Sequence, residues 1–314
     1  MKKYWVTFIL LLNVGLLKQV FCAENSKVVL SYCGKIENEF KKYRWDSANC
    51  NETSWQHVRN SVNGDPLIWV SFGDETFKKN PAKNITLLMC GVHGDEITPI
   101  KFCFDVIKEL KQKPEMSEGK LVVVAPIVNP DSFFTEKPTR TNAQGVDVNR
   151  NFPTEDWKKL ALSLWKKNYK SDIRRFPGTK PMSEPEVVFQ VNLIKLYAPG
   201  KIISVHAPLT LLDYDGPDDL KHVKNQGKKG YELLVQMSQK ASSYQVKKFP
   251  YYPGSLGNYA GQERKIPTYT IELPSTDPAQ SKAYWELFRE AISHALNSDL
   301  TAENPSESDK KTQE

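Results

Sequence analysis

Short, densely apolar runs alternate along this chain with longer segments whose apolar residues recur every three or four positions. Pro66 to Phe72, Asn84 to Cys90, Leu121 to Val128, Lys201 to Val205 and Thr268 to Leu273 read as strands, several of them buried on both faces. Glu96 to Lys111 places Ile100, Phe104, Ile107 and Leu110 on one stripe, the spacing of a helix lying on a core. Helices are also predicted over Trp157 to Tyr169, Ser183 to Leu196, Gly230 to Lys240 and Gln280 to Leu296. Ser183-Glu184-Pro185-Glu186 offers Ser183 as a cap and a proline for the first turn. Lys27 to Tyr32 reads as a short strand, and residues 33–63 as a polar entry segment without an assigned shape. Residues 129–153 form a long loop rich in Pro, Asn and Arg, and loops of that length tend to carry function. Strands alternating with helices predict an α/β fold: one domain over residues 23–300, with helices on both faces of a mainly parallel sheet.

The two ends differ from this body. Residues 1–22 read as a secretory leader, with Lys2 and Lys3 at the start, an apolar core from Trp5 to Leu17, and a cleavage point between Cys22 and Ala23. That core is short for a membrane span, although an uncleaved anchor is the alternative. Residues 301–314 are polar without an apolar period and read as a disordered tail. Charged residues make up 25% and hydrophobic residues 39%, which is ordinary for a soluble globular protein. The formal charge of +6 includes Lys2, Lys3 and Lys18 of the leader; the remaining +3 (6 − 3) is too mild to argue for a nucleic-acid partner. Removing the leader at Cys22 leaves four of the five cysteines. Export would permit a disulfide, and Cys33 with Cys50 is the expected pair. Cys90 and Cys103 read as small core residues. No Cys-x-x-Cys spacing suggests a thiolate metal site.

The chemistry gathers at the ends of the apolar runs. His93 and Glu96 stand three apart just beyond one run, and His206 ends another. These are two of only five histidines, the others being His57, His222 and His294. Two imidazoles and one carboxylate make the ligand set of a catalytic zinc with one position left open. On spacing alone His-x-x-Glu is a weak signal, and a strand-end histidine is more often a core residue. Two further segments change the balance. Arg140 to Pro153 is dense in hydrogen-bond donors, and Glu272 stands among apolar neighbours, where a carboxylate is costly unless paired or functional.

Taken in order, several motifs resemble the zinc carboxypeptidase (funnelin) family, and within it the murein peptide amidases. They are His93-Gly94-Asp95-Glu96, Arg140, Gly145-Val146-Asp147-Val148-Asn149-Arg150-Asn151-Phe152-Pro153, Ser183-Glu184-Pro185-Glu186, Ser204-Val205-His206, Pro253-Gly254-Ser255-Leu256-Gly257 and Ile271-Glu272-Leu273-Pro274. The resemblance runs from about Asp65 to Glu272. It implies a mixed sheet of roughly eight strands. It implies one zinc per chain on His93, Glu96 and His206, with Asp147 orienting a ligand imidazole. Glu272 would be the general base and Arg140 would stabilise the oxyanion. Asn149 and Arg150 would hold a substrate carboxylate, and Gly254 and Ser255 would belong to the specificity segment. Two departures stand out. Digestive members carry an arginine two positions after the first histidine, where this chain has Asp95. Their mobile tyrosine has no secure counterpart, Tyr251 and Tyr252 lying near its place.

The function so implied is an exported, zinc-dependent amidase acting on peptidoglycan stem peptides or murein tripeptide, in the periplasm or outside the cell. Its bond would be that between γ-D-glutamate and meso-diaminopimelate. The alternatives are a carboxypeptidase trimming a terminal residue from wall or ordinary peptides, and a zinc-dependent wall-binding protein without turnover. No nucleic-acid partner, and no stable membrane insertion after leader removal, is expected.

Overall fold

Ser26 accepts a hydrogen bond from the amide of Val29 and so caps the first helix, Lys27–Lys42 (α1). The strand expected over Lys27 to Tyr32 is therefore the start of a helix. Val29, Tyr32, Cys33, Ile36 and Phe40 are buried at three- and four-residue spacing, while Val28 and Leu30 are exposed. A six-residue window is too short to reveal that period. The computed structural model describes residues 25–80, 82–217 and 226–301. The expected leader, and all of the expected tail except Thr301, lie outside the described residues.

After α1 come Gln56–Asn60 (β1), Pro66–Gly73 (β2), Ile85–Met89 (β3), Ile97–Gln112 (α2) and Leu121–Ala125 (β4). The long loop that follows holds a single helical turn, Pro130–Phe133 (α3). Next are Trp157–Tyr169 (α4), Pro185–Tyr197 (α5), Lys201–His206 (β5) and Leu211–Tyr214 (β6). Gln226–Lys240 (α6), Val246–Lys247 (β7), Thr268–Glu272 (β8) and Ser281–Asn297 (α7) complete the order. The polar entry segment thus contains most of α1 and an edge strand. β6 and β7 carry no sequence signal of their own: β7 is two residues long, and two aspartates, Asp213 and Asp215, fall in and just after β6.

The eight strands form one sheet in the order β1-β2-β4-β3-β5-β8-β6-β7. Four of its seven pairings are parallel, so the sheet is mixed. Every residue of β3, β4 and β5 is buried, because both faces are covered. Alternate residues feed two cores. Leu88, Val122, Val124, Ile203 and Val205 pack with α1, α2, α6 and α7. Leu87, Met89, Val123 and Ile202 pack with α5 and with Val148, Phe152, Leu256 and Tyr259.

Two expectations need correction. Ser183 does not cap α5: the cap position is Glu184, without a side-chain cap bond, and the amide of Ser183 donates to Asn151 Oδ1 at 2.9 Å. Cys90 and Cys103 are not free core thiols but a disulfide, as are Cys33 and Cys50. The chain turns at the end of β3 and returns as α2, which brings Cys103 back to a Cα separation of 6.2 Å from Cys90. Buried packing and pairing are compatible, so hydrophobic context alone could not tell them apart.

Candidate functional site

Parallel strands present their carboxyl ends on one edge of a sheet, and the candidate residues collect there. β5 and β8 lie in register with His206 opposite Glu272 and Ser204 opposite Thr270. His93 and Glu96 come from the turn between neighbouring β3 and α2. His93, Glu96 and His206 are all buried, and their ligand atoms lie within 4.8 Å of one another.

The rings are turned so that one nitrogen of each faces inward. His93 Nδ1 lies 2.7 Å from Glu96 Oε1, and His206 Nδ1 lies 2.8 Å from Glu96 Oε2. The outer nitrogens have their own partners: His93 Nε2 meets Asp147 Oδ1 at 3.2 Å, and His206 Nε2 meets Ser204 Oγ at 3.0 Å. An Nε2–H given to those oxygens leaves both Nδ1 lone pairs converging with the Glu96 carboxylate. That is the donor set and outer support of a zinc site, so the residues fit the metal. Burial alone would raise the pKa of Glu96, but the facing imidazoles of His93 and His206 hold it far below the usual carboxylate range. Asp147, fully buried, is likewise pushed up by burial and pulled far down by Arg140. Arg140 Nε donates to Asp147 Oδ2 at 2.8 Å, and its Nη1 lies 3.5 Å from Glu96 Oε1. A guanidinium is thereby held against the ligand cluster.

A cavity of about 680 Å³ opens over this cluster. His93, Glu96, Arg140, Asn149, Arg150, His206, Ser255 and Glu272 all line it. Glu272 Oε2 accepts from the amide of Leu209 at 3.3 Å. Burial pushes its carboxyl up to about 7, against the pull of His206. Arg150 donates through Nη1 to the carbonyl of Asn149 at 2.7 Å and packs on the ring of Tyr252, 4.6 Å from its centroid. Its Nε is buried with no hydrogen-bond partner among the described residues. A guanidinium so placed has donor capacity left for a carboxylate. Asn149 turns its Oδ1 away to accept from the amide of Leu256 at 2.8 Å.

Asp147 and Gly254 do not line the cavity. Asp147 stands behind His93. Gly254, at φ +78°, lies against the backbone of Arg150: a Cβ there would come within 2.1 Å of the Arg150 carbonyl oxygen. Gly254 therefore packs behind Arg150 and does not face the cavity. Of the two tyrosines, Tyr252 lines the cavity, while the Tyr251 hydroxyl donates to the carbonyl of Gly216 at 2.8 Å. Asp95 is engaged by Arg174 at 2.8 Å.

Sequence reasoning missed Ser204, Asp213, Asp215, Arg174 and Arg175, which line the same cavity. Ser204 was within reach, because a strand residue two before His206 shares its face. The aspartates carry no such signal, since β6 has no apolar pattern that marks it as a strand.

The zinc carboxypeptidase family model matches residues 46–291. Murein peptide amidase A of Vibrio campbellii is 31% identical over 216 residues, covering 68% of this chain and 77% of that protein. The protein of the same name from Escherichia coli K12 is 29% identical over 231 residues, covering 72% and 85%. Among solved structures, the murein-tripeptide amidase of Escherichia coli O157 superposes with a TM-score of 0.51 at 26% identity, covering 76% of this chain and 91% of that one. Carboxypeptidase A of Helicoverpa armigera shares the fold, with a TM-score of 0.60 at 17% identity over 86% and 73%.

Proposed function

The chain belongs to the zinc carboxypeptidase family and is a peptide hydrolase, and from that premise we propose that it hydrolyses peptidoglycan stem peptides at the bond between γ-D-glutamate and meso-diaminopimelate. One observation carries this reading: a single cavity unites the His93–Glu96–His206 donor set, the buried carboxyl of Glu272 and the guanidinium of Arg150. The substrate class follows from the relatives, whose names are those of murein peptide amidases.

His93, Glu96 and His206 would hold one zinc ion, which when bound supplies Lewis-acid polarisation and an acidified water. Asp147 and Ser204 keep the two imidazoles turned toward it. Glu272 takes a proton from the attacking water and later gives it to the leaving amine. The water oxygen bonds to the γ-glutamyl carbonyl carbon, the C–N bond breaks, and diaminopimelate leaves with the proton. Arg140 faces the negative charge that develops on the carbonyl oxygen. Arg150 grips the free α-carboxylate of the departing residue, while Asn149 and Ser255 shape the wall beside it.

Export to the periplasm or the cell exterior belongs to the same proposal. Two disulfides suit an oxidising compartment. No helix among the described residues is long and apolar enough to cross a membrane.

Mass spectrometry of products from defined stem tri-, tetra- and pentapeptides tests the bond. Free diaminopimelate and L-Ala-D-Glu are expected from the tripeptide, with poor cutting of longer stems, whose diaminopimelate lacks a free α-carboxylate for Arg150. Release of terminal D-alanine from the tetrapeptide, with the tripeptide left intact, would replace this reading by the carboxypeptidase alternative.

A further inference from the structure

Asp95 and Arg174 come from distant parts of the chain and meet on the wall of the catalytic cavity. Arg174 Nη1 lies 2.8 Å from Asp95 Oδ2. Asp95 Oδ1 is buried with no hydrogen-bond partner among the described residues, so the two side chains do not close into a two-point fork. The Arg174 side chain is more than half exposed, and an ion pair with so exposed a member adds little to folding. A guanidinium carries five N–H donors, and Asp95 engages this one from one side only.

The turn that carries Arg174, Ile173–Arg175, is exposed yet tied down. Asp172 Oδ1 accepts from the amide of Arg174 at 3.0 Å. Trp165 of α4 donates through Nε1 to the carbonyl of Asp172 at 2.7 Å, and its ring packs on Phe176 with centroids 4.9 Å apart. The carbonyl of Phe176 accepts from the amide of Asp147, the residue behind His93, at 2.8 Å. Arg175 is directed elsewhere, its guanidinium 4.7 Å from the centroid of the Tyr169 ring. Of the two arginines, Arg174 is the one held against Asp95.

Arg174 and Arg150 stand on opposite sides of the metal cluster. Across the sheet, β3, whose following turn carries Asp95 and Glu96, is succeeded by β5, β8 and β6. The amide of Asp95 donates at 3.1 Å to the carbonyl of Thr139, the residue before Arg140. Arg150 packs against Gly254, and Gly257 of the same segment lies against Asp215 just after β6. The Asp95–Arg174 pair is therefore on the β3 side, beside the arginine that faces the scissile carbonyl, and Arg150 is on the β6 side. With the departing residue's carboxylate on Arg150, the acyl half of the substrate extends toward Arg174.

We infer that Arg174, positioned by Asp95, binds a carboxylate on the residue that supplies the scissile carbonyl, which in a γ-D-glutamyl substrate is the free α-carboxylate of D-glutamate. This rests on the proposed orientation of the substrate. A γ-linked glutamate carries that carboxylate four bonds from the carbonyl carbon, about 5 Å away when extended. Asp95 and Glu96 are adjacent, with Cα atoms about 3.8 Å apart, so the guanidinium lies one short side chain and one hydrogen bond beyond the ligand turn. The two reaches are of the same size. A guanidinium can bridge two carboxylates through different edges, so Asp95 keeps its hold on Arg174 while substrate is bound. The contact is remote from the bond that breaks and holds ground state and transition state alike, so it acts on KM more than on kcat.

The test uses the zinc-loaded full chain and two tripeptides. One is L-Ala-γ-D-Glu-meso-diaminopimelate; the other has D-isoglutamine in place of D-glutamate, so that an α-carboxamide of the same shape replaces the charge. Wild-type kcat/KM should favour the carboxylate by at least about tenfold, mainly through KM. Arg174→Ala should bring that ratio close to one, and Arg174→Lys should retain part of it. Arg175→Ala, which removes the same charge one residue on, should keep most of it. Should Arg174→Ala not fold, Arg174→Gln is read in the same way. Equal cutting of the two tripeptides by the wild type overturns the inference. So does a preference that survives in Arg174→Ala, or one that falls equally in Arg175→Ala. The proposed bond fails separately. If neither tripeptide is cut, Ala-Glu-Lys and Ala-Gln-Lys replace them, because an α-linked glutamate also carries its carboxylate four bonds from the carbonyl carbon. A preference for glutamate that Arg174→Ala abolishes then leaves the inference standing with the bond wrong, and no preference overturns both. If the diaminopimelate tripeptide is cut and isoglutamine is accepted as well, the bond stands and the inference falls.

Discussion

Glu272 sits opposite His206 in the sheet yet outside the ligand cluster, held by the amide of Leu209 and lifted by burial into a range where it can accept and return a proton. That separation yields two distinguishable outcomes. Glu272→Gln should retain one equivalent of zinc and an unchanged KM while kcat falls by about 10² to 10⁴. His206→Ala should lose the metal itself. Metal analysis beside steady-state kinetics on the diaminopimelate tripeptide checks both, and near-normal kcat in zinc-loaded Glu272→Gln would remove Glu272 from the mechanism. At this scale much was legible. His93, Glu96, His206 and Glu272 stand at the ends of apolar runs, and a polar residue there has to be explained. Gly254 was misread because a glycine in a motif does not say whether its backbone meets substrate or, as here, the chain behind it.

The helix α5 was legible as a helix, but its first turn hides a pair of acids. Glu184 and Glu186 are both buried and share the side-chain amide of Asn142, at 2.7 and 3.0 Å. Glu186 Oε1 has no partner among the described residues, and burial pushes the carboxyl from 4.5 up to about 7. Its folded pKa thus lies above its unfolded one, so between these values the native state holds a proton that the unfolded chain has released. Stability from this group is complete below about pH 4.5, declines as pH rises toward 7, and stays reduced above it. Glu186→Gln removes the ionisation and should stabilise the protein at pH 8 by on the order of 2 to 3 kcal/mol, with little change at pH 4. Urea unfolding of both chains at the two pH values measures it; a variant less stable than wild type at pH 8 would contradict this account. The burial that creates the effect comes with the docking of this turn against Asn142 and Asn151 of the long loop, which the Ser-Glu-Pro-Glu sequence does not encode locally.

For the molecule as a whole, the disulfides bear on both stability and location. Cys90–Cys103 ties the end of a central strand to the helix behind the site across 13 residues, and a loop of that length is worth about 3 kcal/mol. Replacing both cysteines with alanine should lower unfolding free energy by about that amount. Protein isolated from its native host should begin at Ala23 and show no free thiol; a chain starting at Met1 with all five cysteines reactive would rule out the proposed export. The same pair of cysteines marks the boundary between what each level of description decides. Hydrophobic alternation, strand length and the order of motifs belong to the sequence alone. They were enough for the α/β class and for the central strands and most helices, because period and burial are local constraints written every few residues, and the order of motifs singled out His93, Glu96 and His206, which the fold brings together. The Cys90–Cys103 pairing, the acid pair of α5 and the aspartates below Glu272 depend on which segments become neighbours. β6 reaches the site only by pairing antiparallel with β8, more than fifty residues away in the chain. No local pattern announces such a pairing, so Asp213 and Asp215 acquire their place in the cavity only when the sheet is assembled.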